Sequence, residues 1–295
     1  MTAFPRREDE AEAAPNSSRH AATAALAAHW PEYLMEAALL GAFMVAACAF
    51  TVLLEHPGSP ARAALPDATV RRALMGLAMG ATAVVLISSA WGKRSGAHMN
   101  PATTLTFLRL GRVAPSDAAF YAAAQFLGAL GGVLLAAAAL RGTAGHERVM
   151  YAATVPGTAG AGTAFLAEAA ISFVLMSAVL AVSNAPRWNR FTPLAAGACV
   201  ALFIAFEAPL SGMSMNPART FGSAAVAMRW DSLWVYFVAP PLGMLAAAEA
   251  RVRLRGLRSV LCAKLHHENA ERCIFRCDYR SCGPVVGRVR HGGQP

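Results

Sequence analysis

Apolar residues in this chain come in long runs rather than in alternation. Six stretches carry at most one charged residue each: Tyr33 to Leu54, Ala73 to Trp91, Ala118 to Leu140, Thr163 to Val182, Pro193 to Pro209 and Ser232 to Ala250. A helix needs roughly 20 such residues to cross the hydrocarbon core of a bilayer. Each run therefore predicts a membrane-spanning helix, the fifth being the shortest. Two apolar runs end in an unexpected polar triplet, "GAHMNPATTLTF" from Gly96 and "SMNPARTFG" from Ser214. Asn is a favoured N-cap, and Pro at the first helical position loses nothing by its missing N–H. Asn100-Pro101-Ala102 and Asn216-Pro217-Ala218 thus each start a helix, and each helix is too short to span. Both follow glycine-containing, non-helical sequence, which membranes tolerate only where it is buried in protein or lines a wet cavity. They read as re-entrant half-helices.

The two halves of the chain repeat this pattern. "YLMEAALLGAF" from Tyr33 opens the first and "FLAEAAISFVL" from Phe165 the second, and each half runs span, span, Asn-Pro-Ala segment, span. Three spans is an odd number, so the second half crosses in the opposite sense. This is an inverted repeat. Its half-helices enter from opposite faces and meet N-terminus to N-terminus, where two positive dipole ends repel cations and reorient a neutral dipolar molecule. Asn100 and Asn216 each offer an amide donor there. The domain organisation expected is a disordered cytosolic tail over 1–32, a channel domain over 33–250 (repeats 33–140 and 163–250), and a basic tail over 251–295.

Composition agrees: 56% of residues are hydrophobic and 15% charged. The formal net charge of +9 would suit nucleic acid, but much of it lies beyond the last span, at Arg251, Arg253, Arg255, Arg258 and onward. An even number of spans puts both ends on one side. Arginine there, with Lys93, Arg94, Arg187 and Arg190 in loops on the same side, marks that side cytoplasmic. The N-terminus mixes acids and bases and lacks the form of a signal peptide. A multi-pass protein of the plasma (inner) membrane, with no nucleic-acid partner, is expected.

The doubled Asn-Pro-Ala, the approach "SGAHMNPA", "NPAR" in the second copy, the paired Glu36 and Glu168, and "AAAQFLGALGG" from Ala122 resemble the major intrinsic proteins, the aquaporin and aquaglyceroporin family. The resemblance covers roughly Tyr33 to Ala250. It implies six tilted helices plus two half-helices, a pore within each protomer, a homotetramer and no cofactor for the channel. It implies that Arg219 is the constriction arginine, donating to solutes and repelling cations. It implies too that Glu36 and Glu168 are structural carboxylates accepting from the re-entrant loops, with loop carbonyls near Ala97 to Met99 and Met213 to Met215 as the acceptor side of the pore. Counting back from each Asn by the family's spacing gives the remaining filter residues as Gly80, Ile204 and Met213. Water channels of the family usually carry an aromatic and a His where this chain has Gly80 and Ile204. A wider, more apolar ring follows, passing glycerol, urea or metalloid hydroxides besides water, with Met213 able to refill part of the gap. Glycerol channels of the family tend to carry Asp at the position of Thr220 and a basic residue at that of Ala224, while Tyr236 and Phe237 resemble the water-channel side, so the chain looks nearer the mixed type of the plant nodulin-like members. In the other reading Gly80 is a close helix contact and the channel passes water alone.

Three features stand apart. Glu207, one turn beyond Ile204, is an intramembrane acid and so a functional candidate, pairing with Arg219, lining the outer vestibule or facing headgroups. In the tail, Cys262 and His266 are four residues apart, as are Cys273 and Cys277, so on a helix each pair shares a face. Thiolates and imidazole so spaced suit Zn or another thiophilic metal, although the spacing is no standard zinc finger and Cys282 is an alternative ligand. The competing reading is a basic tail that carries thiols, with an interaction role. Cys48 and Cys199 are packing residues. A secondary transporter would need a coupling-ion site, whereas Arg219 and dipole ends line this pore. An enzyme would need a nucleophile and base within the spans, and His98 stands alone beside Asn100.

Overall fold

The computed structural model describes residues 13–267 and 269–279. In chain order its helices are α1 (Ala13–Glu55), α2 (Pro60–Ala64), α3 (Ala68–Ser88), α4 (Ala90–Ser95), α5 (Pro101–Arg109), α6 (Pro115–Ala139), α7 (Gly160–Ser183), α8 (Thr192–Phe206), α9 (Ala208–Ser211), α10 (Pro217–Ala227) and α11 (Leu233–Arg255). No strand occurs among the described residues. Six of these helices, α1, α3, α6, α7, α8 and α11, are long and apolar enough to cross a membrane. They are the six that the apolar runs predict. Their outward faces carry leucines such as Leu127, Leu134, Leu135 and Leu166, all more than half exposed, which suits lipid as the surrounding solvent.

The order α1, α3, α5, α6 repeats as α7, α8, α10, α11, with α5 and α10 the short half-helices. Packing follows small residues. α1 lies on α6, α3 on α8 and α7 on α11, and backbones approach closely at glycine: a Cβ on Gly128 would sit 2.2 Å from the Ala37 carbonyl oxygen, and one on Gly243 2.2 Å from that of Ala169. Close backbone approach at small residues is how helices associate in lipid, where burial of apolar surface gives little drive.

The ends differ from expectation. The 1–32 segment is not a tail throughout, because α1 is already helical from Ala13; residues 1–12 lie outside the described residues. The Ala-rich stretch from Ala21 favours helix, and tertiary bonds hold it. Tyr33 Oη donates to Asp117 at 2.7 Å and His29 Nδ1 lies 2.8 Å from the same carboxylate. Buried Glu32 meets Arg94 Nε at 2.9 Å. At 43 residues α1 is about 65 Å long, twice the ~30 Å hydrocarbon core, so its first turns project beyond the membrane on the side where the chain's described ends meet. At the other end, α11 stops at Arg255, and Gly256, with φ +74°, turns the chain out of the helix. Residues 257–279 then form a compact, mostly irregular knot against the bundle.

Candidate pore and its two loops

Each Asn-Pro-Ala segment is built alike. Asn100 Oδ1 caps α5 by accepting from Ala102 N at 2.9 Å, and Asn216 Oδ1 caps α10 by accepting from Ala218 N at 3.0 Å. The amide nitrogens reach across the repeat: Asn100 Nδ2 donates to Met215 O at 2.6 Å and Asn216 Nδ2 to Met99 O at 2.7 Å. The two half-helices therefore meet nose to nose. An amide has two N–H bonds, so each Asn keeps one for a molecule in the cavity it borders.

The loops leading to these caps hold backbone that side chains normally avoid. Gly96, Ala97 and Met99 have φ of 97°, 55° and 47°, and Gly212, Met213 and Met215 have 78°, 53° and 55°. Non-glycine residues persist there only when the surroundings over-determine them. Buried Glu36 and Glu168 do so. Glu36 accepts from Ser95 Oγ at 2.7 Å, His98 N at 3.1 Å, Met99 N at 2.6 Å and Gln125 Nε2 at 2.8 Å. Glu168 accepts from Ser211 Oγ at 2.7 Å, Ser214 N at 2.6 Å and Met215 N at 2.7 Å. Two tyrosines complete the clamps: Tyr121 Oη donates to Ser95 O at 2.6 Å and Tyr236 Oη to Ser211 O at 2.5 Å. The clamp role of these serines and tyrosines carries no signal in the sequence, although Ser95 and Ser211 stand at matching places before the two motifs.

A cavity of 430 Å³ runs along both loops, from Arg72 and Arg148 at one mouth to Ile87 and Leu265 at the mouth nearest the knot. Ile204, Met213 and Arg219 border it. Arg219 Nη1 is buried with no hydrogen-bond partner, a donor left for the cavity. Gly80 is not a lining residue. It faces α8, where a Cβ would fall 2.5 Å from the Gly197 carbonyl oxygen and 2.9 Å from the Ala201 Cβ. Met75 and Met79 line the cavity from α3 instead. The counted position thus falls on the α3–α8 seam, where Gly76, Gly80 and Gly197 bring the two backbones together. Glu207 is buried, does not border the cavity and forms no ion pair with Arg219 among the described residues. Thr220 bonds Ser214 Oγ at 2.5 Å and Thr154 Oγ1 at 2.8 Å, bracing the second loop.

The knot brings together Cys262, Cys273 and Cys277, as expected, but with His267 in place of His266. The i, i+4 argument assumed a helix, and this stretch is not helical. Hydrogen bonds from Cys262 and Cys277 hold the Cys273 thiol well below the usual thiol range, and burial pushes Cys262 up. Cys282 lies outside the described residues. Cys48 is buried and Cys199 half-buried within their helices.

Six helices able to cross a membrane in an inverted repeat, with two Asn-capped half-helices meeting beside one cavity, define a membrane protein of the aquaporin-like fold. The "Major intrinsic protein" family description matches residues 25–250, and the chain belongs to that family. It is 40% identical over 170 residues to aquaporin NIP1-3 of Oryza sativa subsp. japonica, covering 57% of each chain. It is 38% identical over 179 residues to aquaporin NIP3-1 of Zea mays, covering 59% of this chain and 57% of the relative. The match thus spans somewhat over half the length of these curated relatives. Among solved structures, the aquaglyceroporin from Plasmodium falciparum superposes with a TM-score of 0.61 at 20% identity, over 76% of this chain and 95% of that one, and shares the fold.

Proposed function

We infer that the protein is a passive channel for water and small neutral solutes such as glycerol, urea or metalloid hydroxides, and that it excludes ions and protons. The observation that carries this reading is the meeting of Asn100 and Asn216 over one continuous cavity with the unpartnered Arg219 Nη1 beside it. A row of fixed donors on an otherwise apolar wall suits a neutral molecule that both donates and accepts. Positive dipole ends and a guanidinium repel cations. The lining offers no carboxylate pair of the kind that would hold a coupling ion, which speaks for passive flow over secondary transport. The solute-permeable reading rests on Ile204, an apolar residue where a His would narrow and polarise the ring. A second reading, water alone, is favoured by Met75, Met79 and Met213, three long flexible side chains on the same cavity.

By family resemblance the protomers assemble as a homotetramer, with the outward leucines shared between lipid and neighbours. The arginine-rich loops support a cytoplasmic side for the knot and both described ends, with the inner membrane as host. Stopped-flow light scattering on proteoliposomes tests the reading. Water flux and glycerol or urea entry both well above empty liposomes support the solute channel; fast water with background solute entry selects the water channel, and background rates for all overturn both.

A further inference from the structure

The knot formed by residues 257–267 and 269–279 packs against the bundle and is well buried, with Val260, Cys262, Ala263, Lys264 and Phe275 all 2% exposed or less. Within it the ligand atoms of Cys262, His267, Cys273 and Cys277 all lie within 4.8 Å of one another. Cys262 Sγ and Cys273 Sγ are 3.6 Å apart, and His267 Nε2 and Cys277 Sγ 3.0 Å apart. A tetrahedral zinc site with Zn–S of about 2.3 Å and Zn–N of about 2.0 Å has S···S edges of about 3.8 Å and S···N edges of about 3.5 Å. Small side-chain shifts bring the cluster to that geometry.

We propose that Cys262, His267, Cys273 and Cys277 bind one Zn(II) as a Cys3His site that fastens the knot over the adjacent mouth of the pore. On binding, three thiolate sulfurs and the His267 Nε2 lone pair bond the metal, and the protons still carried by the thiols leave to solvent. Cys262 and Cys273 form no disulfide in the structure, as a reducing cytoplasm would keep them. Outer support is present: Lys264 N points to Cys262 Sγ at 3.5 Å, and the His267 ring stacks on Tyr279 at 4.2 Å. A fourth, imidazole ligand favours zinc over an ion that takes three thiolates alone.

The link to the pore is direct. Ala263 O lies 2.9 Å from His98 Nε2, Leu265 N donates to Gly96 O at 3.1 Å, and Phe275 stacks on His98 at 5.3 Å. These residues sit beside or between two of the proposed ligands, and they touch the first re-entrant loop. Leu265 itself borders the cavity. Releasing the metal frees the segment that holds Leu265 at the mouth, and flux rises. This second half of the proposal rests on the channel reading above, whereas the metal site does not.

The test uses the full-length protein, purified in detergent after expression with zinc. Elemental analysis should return one zinc per protomer, lost in Cys273→Ser and in His267→Ala. Exchange with Co(II) should give the visible bands of a tetrahedral thiolate site, weakened in the same variants. In proteoliposomes, a membrane-permeant chelator should raise solute or water flux several-fold in the wild type and change nothing in Cys273→Ser. No zinc in a protein whose thiols titrate as reduced, or a Cys262–Cys273 disulfide by mass spectrometry, overturns the site; so does a trivalent metalloid bound by three thiolates with zinc excluded. Zinc that stays bound while chelation leaves flux unchanged overturns the fastening role alone. If no preparation conducts, the channel reading fails, and the metal count still decides the site.

Discussion

Gly80→Ala separates a packing residue from a filter residue. The added Cβ would lie 2.5 Å from the Gly197 carbonyl oxygen, so α3 and α8 must part by about 0.9 Å to reach an ordinary 3.4 Å contact. The seam cannot give easily. One turn earlier a Cβ on Gly76 would meet Ala201 O at 2.4 Å, and from the other side one on Gly197 would meet Gly80 O at 2.6 Å. Overpacking of this kind costs about 1–3 kcal/mol, and the better helix propensity of Ala returns about 1 kcal/mol. A net loss of up to about 2 kcal/mol remains, read as a lower midpoint of thermal unfolding in detergent. Because Gly80 does not line the cavity, the glycerol-to-water flux ratio of the folded fraction should stay as in the wild type. An unchanged midpoint together with selective loss of glycerol entry would refute this placement and return Gly80 to the constriction.

Met79→Ala is the counterpart: it removes a long side chain from the cavity wall, and stopped-flow scattering should show solute entry rising relative to water, while an unchanged ratio would place Met79 away from the constriction. Glu36→Ala orphans four buried donors at about 1–3 kcal/mol each, a sum comparable to the whole stability of a typical fold, ~5–15 kcal/mol. No monodisperse peak should survive size-exclusion chromatography, and a peak with wild-type melting would show that the clamp is not needed. Arg219→Val removes the buried guanidinium, and a pH-sensitive dye inside proteoliposomes should report a proton leak absent from the wild type; a tight variant would shift ion exclusion onto the half-helix dipoles alone.

The features legible in the sequence are those set by local chemistry or by length. The six spans follow from apolar length, and the half-helices follow from Asn and Pro, whose capping role needs only the next two or three residues. The paired Glu36 and Glu168 show through the repeat, as an acid in an apolar span has few tolerable roles. What failed depended on register or on long-range contacts. Gly80 packs against α8 through close approach to Gly197 and Ala201, which no spacing in the sequence reveals, and Met75 and Met79 carry no mark that sets them apart from other apolar residues of α3. His266 was chosen over its neighbour because four-residue spacing suits a helix that Gly256 had already ended. Ser95, Tyr121, Ser211 and Tyr236 act through bonds to partners 25 to 59 residues away, and such bonds leave no local pattern.

The inverted repeat also shows where the two mouths part ways. From Ser95 to Asn100 and from Ser211 to Asn216 the loops match position by position in backbone sign, clamp and cap. The side chains differ at two pairs, Ala97 against Met213 and His98 against Ser214, and the second pair changes the contacts. Ser214 is small and bonds inward to Thr220, whereas His98 is an aromatic ring stacked between Phe107 and Phe275 at 5.2 and 5.3 Å. Its Nδ1 meets Thr104 Oγ1 at 3.0 Å, and its Nε2 reaches the knot at Ala263 O. Shaping the loop does not require this, because the Ser214 loop takes the same shape without a ring. The extra bulk at His98 makes a platform for residues 263–275, so the departure from symmetry lies where a segment from outside the repeat docks. The second loop carries no such docked segment among the described residues and is braced within the repeat by the Thr154–Thr220–Ser214 hydrogen bonds.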